Sequence, residues 1–325
     1  MTTQPVTSPG KRVAVIALGG NALAPAGASP TVYDQFRHAR QSLGPIVELV
    51  RAGWNVCVVH GNGPQVGDEL VRNEVAREQA SPLPLGVLVA ATAGWIGYMI
   101  QQSLENALVR AGMTRDVATV ITQVQVDPSD PAMRKPTKFI GRPMTPERAA
   151  EMKIEGHIVK KDGHGNLRRV VGSPAPQAIC ELPVIRALMD AGVIVVACGG
   201  GGAPVYRHPT LGWEGIDAVV DKDLAAAVLA RDLGAELLLI LTDVDAVYAD
   251  WGTPNQRPLT RLTIDDALEM DRNKAFGEGS MAPKIRAAID FVRRTNGRAI
   301  ITSLDSGQMA VHGEAGTTIT AMETA

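Results

Sequence analysis

A chain of 325 residues has room for two domains of about 150 residues each, and 45% hydrophobic residues with 33 glycines supply packed cores joined by many tight turns. Thirty-two basic residues against 34 acidic ones leave a net charge of −2, and aromatic residues make up only 4%. That balance argues against a nucleic-acid partner held through phosphates or base stacking. Nine of the basic residues are lysine, so the position of each carries information.

In chain order, the first eleven residues are polar and lack the apolar run of a secretory signal. Residues 13–18 (VAVIAL) predict a strand that runs into Gly19-Gly20-Asn21. Tyr33, Phe36, Leu43, Val47 and Val50 then recur at helical spacing before Gly53. Residues 55–59 (NVCVV) predict a second strand, leading into His60-Gly61-Asn62-Gly63-Pro64 and a polar helix. Residues 79–104 carry no charge, but Gly86, Gly94, Gly97 and the polar Gln101, Gln102 and Ser103 fit a helix buried in protein better than a membrane span. From residue 127 to 172 the chain turns polar and proline-rich, and 156–171 read as a hairpin turning at 162–166. This predicts a small inserted subdomain. Residues 193–197 (VIVVA) lead into Gly199–Gly202, and 236–241 (ELLLIL) into Thr242-Asp243.

Apolar strands without alternation, separated by helices, predict an α/β fold with a mainly parallel sheet covered on both faces. In such sheets ligands bind beyond the carboxyl ends of the strands, where the glycine turns lie. The expected units are 12–215, carrying the insertion at about 127–172, and 216–320, with the boundary near 212–215. Cys57, Cys180 and Cys198 are odd in number and far apart, which predicts buried free thiols of a reducing cytoplasm.

The three strand-to-glycine turns suit phosphate binding, because glycine lets backbone N–H groups approach an anion and a helix N-terminus adds about half a positive charge. No GxxxxGK[ST] occurs, which argues against a Walker-type site. Gly61-x-Gly63-x-x-x-Gly67 approaches a dinucleotide fingerprint with Glu78 as ribose ligand, but its third glycine is misplaced and Pro64 interrupts it. Asp221 predicts the N-cap of a helix carrying Lys222 and Asp223. Ser280 predicts that of a helix carrying Lys284, with Ile285, Ala288, Ile289 and Val292 on its buried face. A lysine in a first helical turn opposes the helix dipole by about 0.3–1 kcal/mol. Two such placements point to an anion between them; the alternative is that both ammonium groups face water. His157 and His164 read as a solvated surface, and Asp243-Val-Asp245 as a turn capping a strand. No GxSxG elbow supports nucleophilic hydrolysis.

Together, the blocks ALGGNA (17–22), VHGNGPQV (59–66), PTKFIG (136–141), CGGGG (198–202), VDKD (220–223), LTDVD (241–245) and GSMAPK (279–284) resemble the carbamate kinase family of the amino-acid kinase superfamily. The resemblance implies a three-layer α/β/α sandwich with a central, mainly parallel eight-stranded sheet and a small protruding subdomain. It implies reversible phosphoryl transfer between ATP and carbamate, giving ADP and carbamoyl phosphate, with Mg²⁺ accompanying the nucleotide. The direction would be towards ATP in arginine breakdown, in a cytoplasmic homodimer without nucleic-acid or membrane partners. Lys222 and Lys284 would contact the transferred phosphate, Asp223 would hold both, and Lys138 would reach over the substrate like a lid. Gly19, Gly20, Asn21, Gly61, Asn62, Gly63 and Gly199, Gly200, Gly201 and Gly202 would cradle the anion. Asp243, Tyr248, Gly277, Ser280 and Met281 would line the nucleotide site. Phe139 stands where proline is common, leaving Lys138 and Gly141 intact. The alternatives are another carboxylate kinase, which would lack the PTKxIG segment, and an idle metabolite sensor, which would lose the lysines or Asp223.

Overall fold

The computed structural model describes residues 12–19, 31–163, 165–277 and 281–322. Strand β1 (Val13–Leu18) is followed by α1 (Val32–Gln41), α2 (Gly44–Arg51) and β2 (Asn55–His60). The helical spacing from Tyr33 to Val50 therefore divides between two helices. Ser42 ends α1 with its hydroxyl on the His38 carbonyl, and Pro45 opens α2. Helices α3 (Gly63–Ala76) and α4 (Leu85–Arg110) come next. The uncharged α4 buries Leu88, Ile96, Met99 and Ile100 against the body of the protein. Among the described residues no helix is long and apolar enough to cross a membrane.

After β3 (Val117–Thr119), β4 (Gln123–Val126) and α5 (Pro131–Arg134) comes the polar insertion: β5 (Lys138–Met144), α6 (Pro146–Ile154), β6 (Ile158–Lys161) and β7 (Leu167–Val171). The expected hairpin is present, with Lys161 paired to Leu167, and β5 adds to it in the order β5-β7-β6. Ala149, Met152 and Val159 give this unit a small core of its own. It is seated on α3 where two glycines meet. A methyl group on Gly67 would overlap the backbone of Gly141, which itself adopts φ +69°.

The chain continues through β8 (Pro176–Ile179), α7 (Leu182–Asp190), β9 (Ile194–Val196), a tight 3₁₀ turn at Gly199–Gly201, β10 (Ala203–His208) and β11 (Gly212–Gly215). Strands β11-β10-β4-β8 form a second sheet that hydrophobic patterning does not reveal, because its strands are short and mostly half-buried. The remainder is α8 (Lys222–Leu233), β12 (Leu237–Thr242), β13 (Val247–Ala249), β14 (Arg257–Leu259), β15 (Arg261–Thr263), α9 (Ile264–Arg272), α10 (Met281–Arg294), β16 (Arg298–Ser303), α11 (Gly307–Val311) and β17 (Thr317–Thr320).

The main sheet has eight strands in the order β15-β17-β16-β12-β1-β2-β9-β3, parallel throughout except between β16 and β17. Its central strands are apolar without alternation because each face meets a separate core. Val15, Ala17, Cys57, Val59, Leu238 and Ile240 point to the side covered by α7, α8 and α10. Ala14, Ile16, Leu18, Val56, Val58, Leu237 and Leu239 point to the side covered by α1, α2, α4 and α11. The result is the expected three-layer sandwich. All three cysteines are free thiols: Cys57 and Cys198 are buried, whereas Cys180 is only half-buried. Burial pushes the Cys57 thiol up to about 12, so it is inert as a nucleophile.

Candidate active site

The ends of β2 and β9 and the starts of α3, α8 and α10 converge on a cavity of about 190 Å³. Asn62, Gly63, Lys138, Gly200, Lys222, Asp223 and Lys284 are among its lining residues. Asp223, 2% exposed, is the hub. Its Oδ1 lies 2.5 Å from Lys222 Nζ and its Oδ2 lies 3.3 Å from Lys284 Nζ, so one carboxylate holds both lysines. Burial lowers the Lys222 pKa and Lys284 adds to the effect, while Asp223 works against both.

Asp221 caps α8 as the sequence predicts, its Oδ1 accepting the N–H groups of Asp223 at 2.9 Å and Leu224 at 3.4 Å. Its Oδ2 accepts a hydrogen bond from Lys138 Nζ at 2.5 Å, a contact invisible in the linear chain. Burial disfavours the Asp221 carboxylate, but the ammonium groups of Lys138 and Lys222 outweigh it and hold its pKa below the usual carboxylate range. Three ammonium groups thus face two carboxylates, and the cavity keeps one positive charge in excess.

The glycine turns contribute less backbone than their sequence suggests. The Gly19 N–H donates to Leu241 O and the Gly61 N–H to Leu18 O, both at 3.0 Å, which continues the parallel sheet. Gly201 and Gly202 donate to Cys198 O and Gly199 O to close their own turn. Glycine is required along 199–202 mainly by crowding. Gly199 abuts His60 and Ala93, Gly200 rests on the Asn62 amide, Gly201 on Val220, and Gly202 on Val124. Gly61, Asn62, Gly63 and Gly200 border the cavity, Asn62 being anchored through Nδ2 to Thr92 Oγ1 at 2.9 Å. At the start of α3 the first N–H groups have no intrahelical acceptor, so they present a partial positive charge. Gly20, Asn21 and Ser280 lie outside the described residues, as does His164; His157 is half-buried. Glu78 is exposed beyond the end of α3 and lines neither cavity described here. The misplaced Gly67 serves the crossing with β5 instead.

A second cavity, of about 350 Å³, lies beyond β12. Asp243, Tyr248, Gly277 and Met281 all line it, so the structure brings these four together. Trp251, Lys274 and Phe276 line it as well and escaped the sequence reading. The scarcity of lysine was a signal that could have found Lys274. The Tyr248 and Trp251 rings meet edge-on at 5.3 Å, and Tyr248 donates its hydroxyl to Asp245 Oδ1 at 2.8 Å. The first turn of α10 separates the cavities, with Met281 facing one and Lys284 the other. Among the described residues no group of three or more His, Cys, Asp or Glu side chains is placed to hold a metal ion.

The sequence model of the amino acid kinase family matches residues 12–303, which include every described residue of both cavities. The chain belongs to the amino acid kinase family. Within that family it is 45% identical to the carbamate kinase of Halobacterium salinarum over 309 residues, 94% of this chain and 97% of the relative. It is 40% identical to the carbamate kinase of Pyrococcus horikoshii over 310 residues, 94% of this chain and 98% of that one. The solved structure of carbamate kinase from Giardia lamblia bound to AMP-PNP superposes with a TM-score of 0.87 at 36% identity, covering 95% of this chain and 98% of the other.

Proposed function

We propose that this protein is an ATP-dependent kinase that catalyses reversible phosphoryl transfer between ATP and carbamate, giving ADP and carbamoyl phosphate. The observation that carries the reading is the placement of Lys222 and Lys284 on opposite oxygens of the buried Asp223, lining an anion-sized cavity that the first turn of α10 separates from an aromatic-lined one. Carbamate is already an oxyanion, so its oxygen attacks the γ-phosphorus without a general base. One P–O bond forms to carbamate while the bond to the β-phosphate oxygen breaks and ADP departs. Such a transfer between anions needs alignment and charge neutralisation, which fixed ammonium groups supply. Lys222 and Lys284 neutralise the phosphoryl oxygens, Lys138 covers the carbamoyl phosphate, and the start of α3 with Gly200 holds the substrate anion. Mg²⁺ arrives as part of the nucleotide substrate, since Asp221 and Asp223 are both engaged by lysines.

In this reading residues 12–215 bind carbamate, the insertion at 127–172 forms a lid, and 216–320 bind the nucleotide. The enzyme works in the cytoplasm, forms ATP during arginine breakdown and acts as a homodimer. Similarity to carbamate kinases over nearly the whole chain supports the substrate, and the inserted PTKFIG segment opposes a different carboxylate acceptor. The deciding experiment is a coupled assay for ATP formed from MgADP and carbamoyl phosphate. Rapid ATP formation is expected; phosphorylation of acetylglutamate in its place would overturn the assignment.

A further inference from the structure

Lys138 belongs to the insertion, yet its ammonium ends 2.5 Å from Asp221 Oδ2 at the start of α8, 83 residues away. Asp221 divides its oxygens between two tasks: Oδ1 closes the N-terminus of α8, and Oδ2 faces the cavity and Lys138. Capping a helix needs one oxygen and no charge, and asparagine caps as well as aspartate. A carboxylate beside an anion cavity also opposes anion binding. The charge on Asp221 is therefore unnecessary for the helix and unfavourable for an anion, whereas it orients a lysine from another part of the fold.

We propose that Asp221 is a positioning residue for Lys138, fixing its ammonium at the rim of the anion cavity and tying the insertion to the helix that carries Lys222. The functional consequence rests on the phosphoryl-transfer reading above; the contact itself does not. In Asp221→Asn the side-chain oxygen still caps α8, but an N–H₂ group replaces the oxygen that accepts from Lys138. The cavity gains one net positive charge, so anion binding is not weakened.

The kinetic test compares ATP formation from MgADP and carbamoyl phosphate in wild type, Asp221→Asn, Lys138→Ala and the double variant. Asp221→Asn is expected to lower kcat about tenfold with an unchanged or lower KM for carbamoyl phosphate. Lys138→Ala is expected to lower kcat and raise KM, and the double variant to be no slower than Lys138→Ala alone, because Asp221 acts through Lys138. A kcat for Asp221→Asn within twofold of wild type, or losses that multiply in the double variant, would overturn the role. A second measurement is independent of turnover. Labelling of Lys138 by an amine-reactive reagent, read by peptide mass spectrometry on the free full-length protein, should speed up severalfold in Asp221→Asn. Equal labelling rates would reject the pairing even in a protein with no kinase activity.

Discussion

Lys222 and Lys284 are held by a buried carboxylate that water cannot replace, so each ammonium is fixed before substrate arrives. Alanine at either position should lower kcat by about 100-fold, the scale seen when a fixed transition-state donor is lost. A rate within threefold of wild type would remove that lysine from the mechanism. His60, at the end of β2, behaves differently. Burial lowers its pKa to about 4, with the carbonyls of Gly61 and Ala93 partly opposing the shift. An imidazole neutral in the fold but protonated at about 6.5 when unfolded means the unfolded chain binds more protons between those values. Stability is then complete above pH 6.5 and falls, by about 3 kcal/mol, as the pH drops towards 4. Asp34, Asp127, Asp221 and Asp266 have lowered pKa values, so their contributions are lost only below about 3.8. The melting temperature should therefore decline between pH 6.5 and 4.5, and His60→Gln should flatten that slope. An unchanged slope in the variant would assign the decline to other groups.

At the scale of elements, the crossing of α3 and β5 decides where Lys138 can go. A side chain on Gly67 would overlap the Gly141 backbone, so the insertion packs backbone to backbone only three residues from the lysine. Gly67→Ala should force the strand outward, cost about 1–3 kcal/mol of stability by overpacking, and raise the KM for carbamoyl phosphate. ADP affinity should stay unchanged, because the aromatic-lined cavity lies elsewhere. Unaltered carbamoyl phosphate kinetics would show that the crossing does not set the position of Lys138. Helix α8 illustrates what is readable locally: Asp221 before an apolar run marks its start, and Gly234 in the left-handed region closes it. The break between α1 and α2 is harder to read, since apolar spacing continues across it.

For the whole molecule, the outer face of α4 carries Val87, Trp95 and Tyr98 and is uncharged as far as Gln102, and the exposed Val71 of α3 borders the same surface groove as Trp95 and Tyr98. A patch of this kind fits a second copy of the chain better than water. Light scattering should give about twice the 34.3 kDa chain mass, and Tyr98→Glu should shift it towards one chain. A wild-type mass of one chain would dismiss the dimer.

The sequence by itself determined the layered α/β architecture, because strands buried on both faces need unbroken apolar runs and sharp glycine exits. It also marked Lys222 and Lys284, because lysine is rare here and both stand against a helix dipole, whereas Lys138 and Asp223 were marked by the resemblance of the PTKFIG and VDKD blocks to the carbamate kinase family. The tertiary structure alone decided how these groups divide their contacts. The two oxygens of Asp223 take one lysine each, those of Asp221 take a helix and a lysine, and the Gly19 and Gly61 amides go to the sheet instead of an anion. The physical reason is that local patterning reports which residues are exposed, buried or capping. Which donor reaches which acceptor depends on segments tens of residues apart being packed together first.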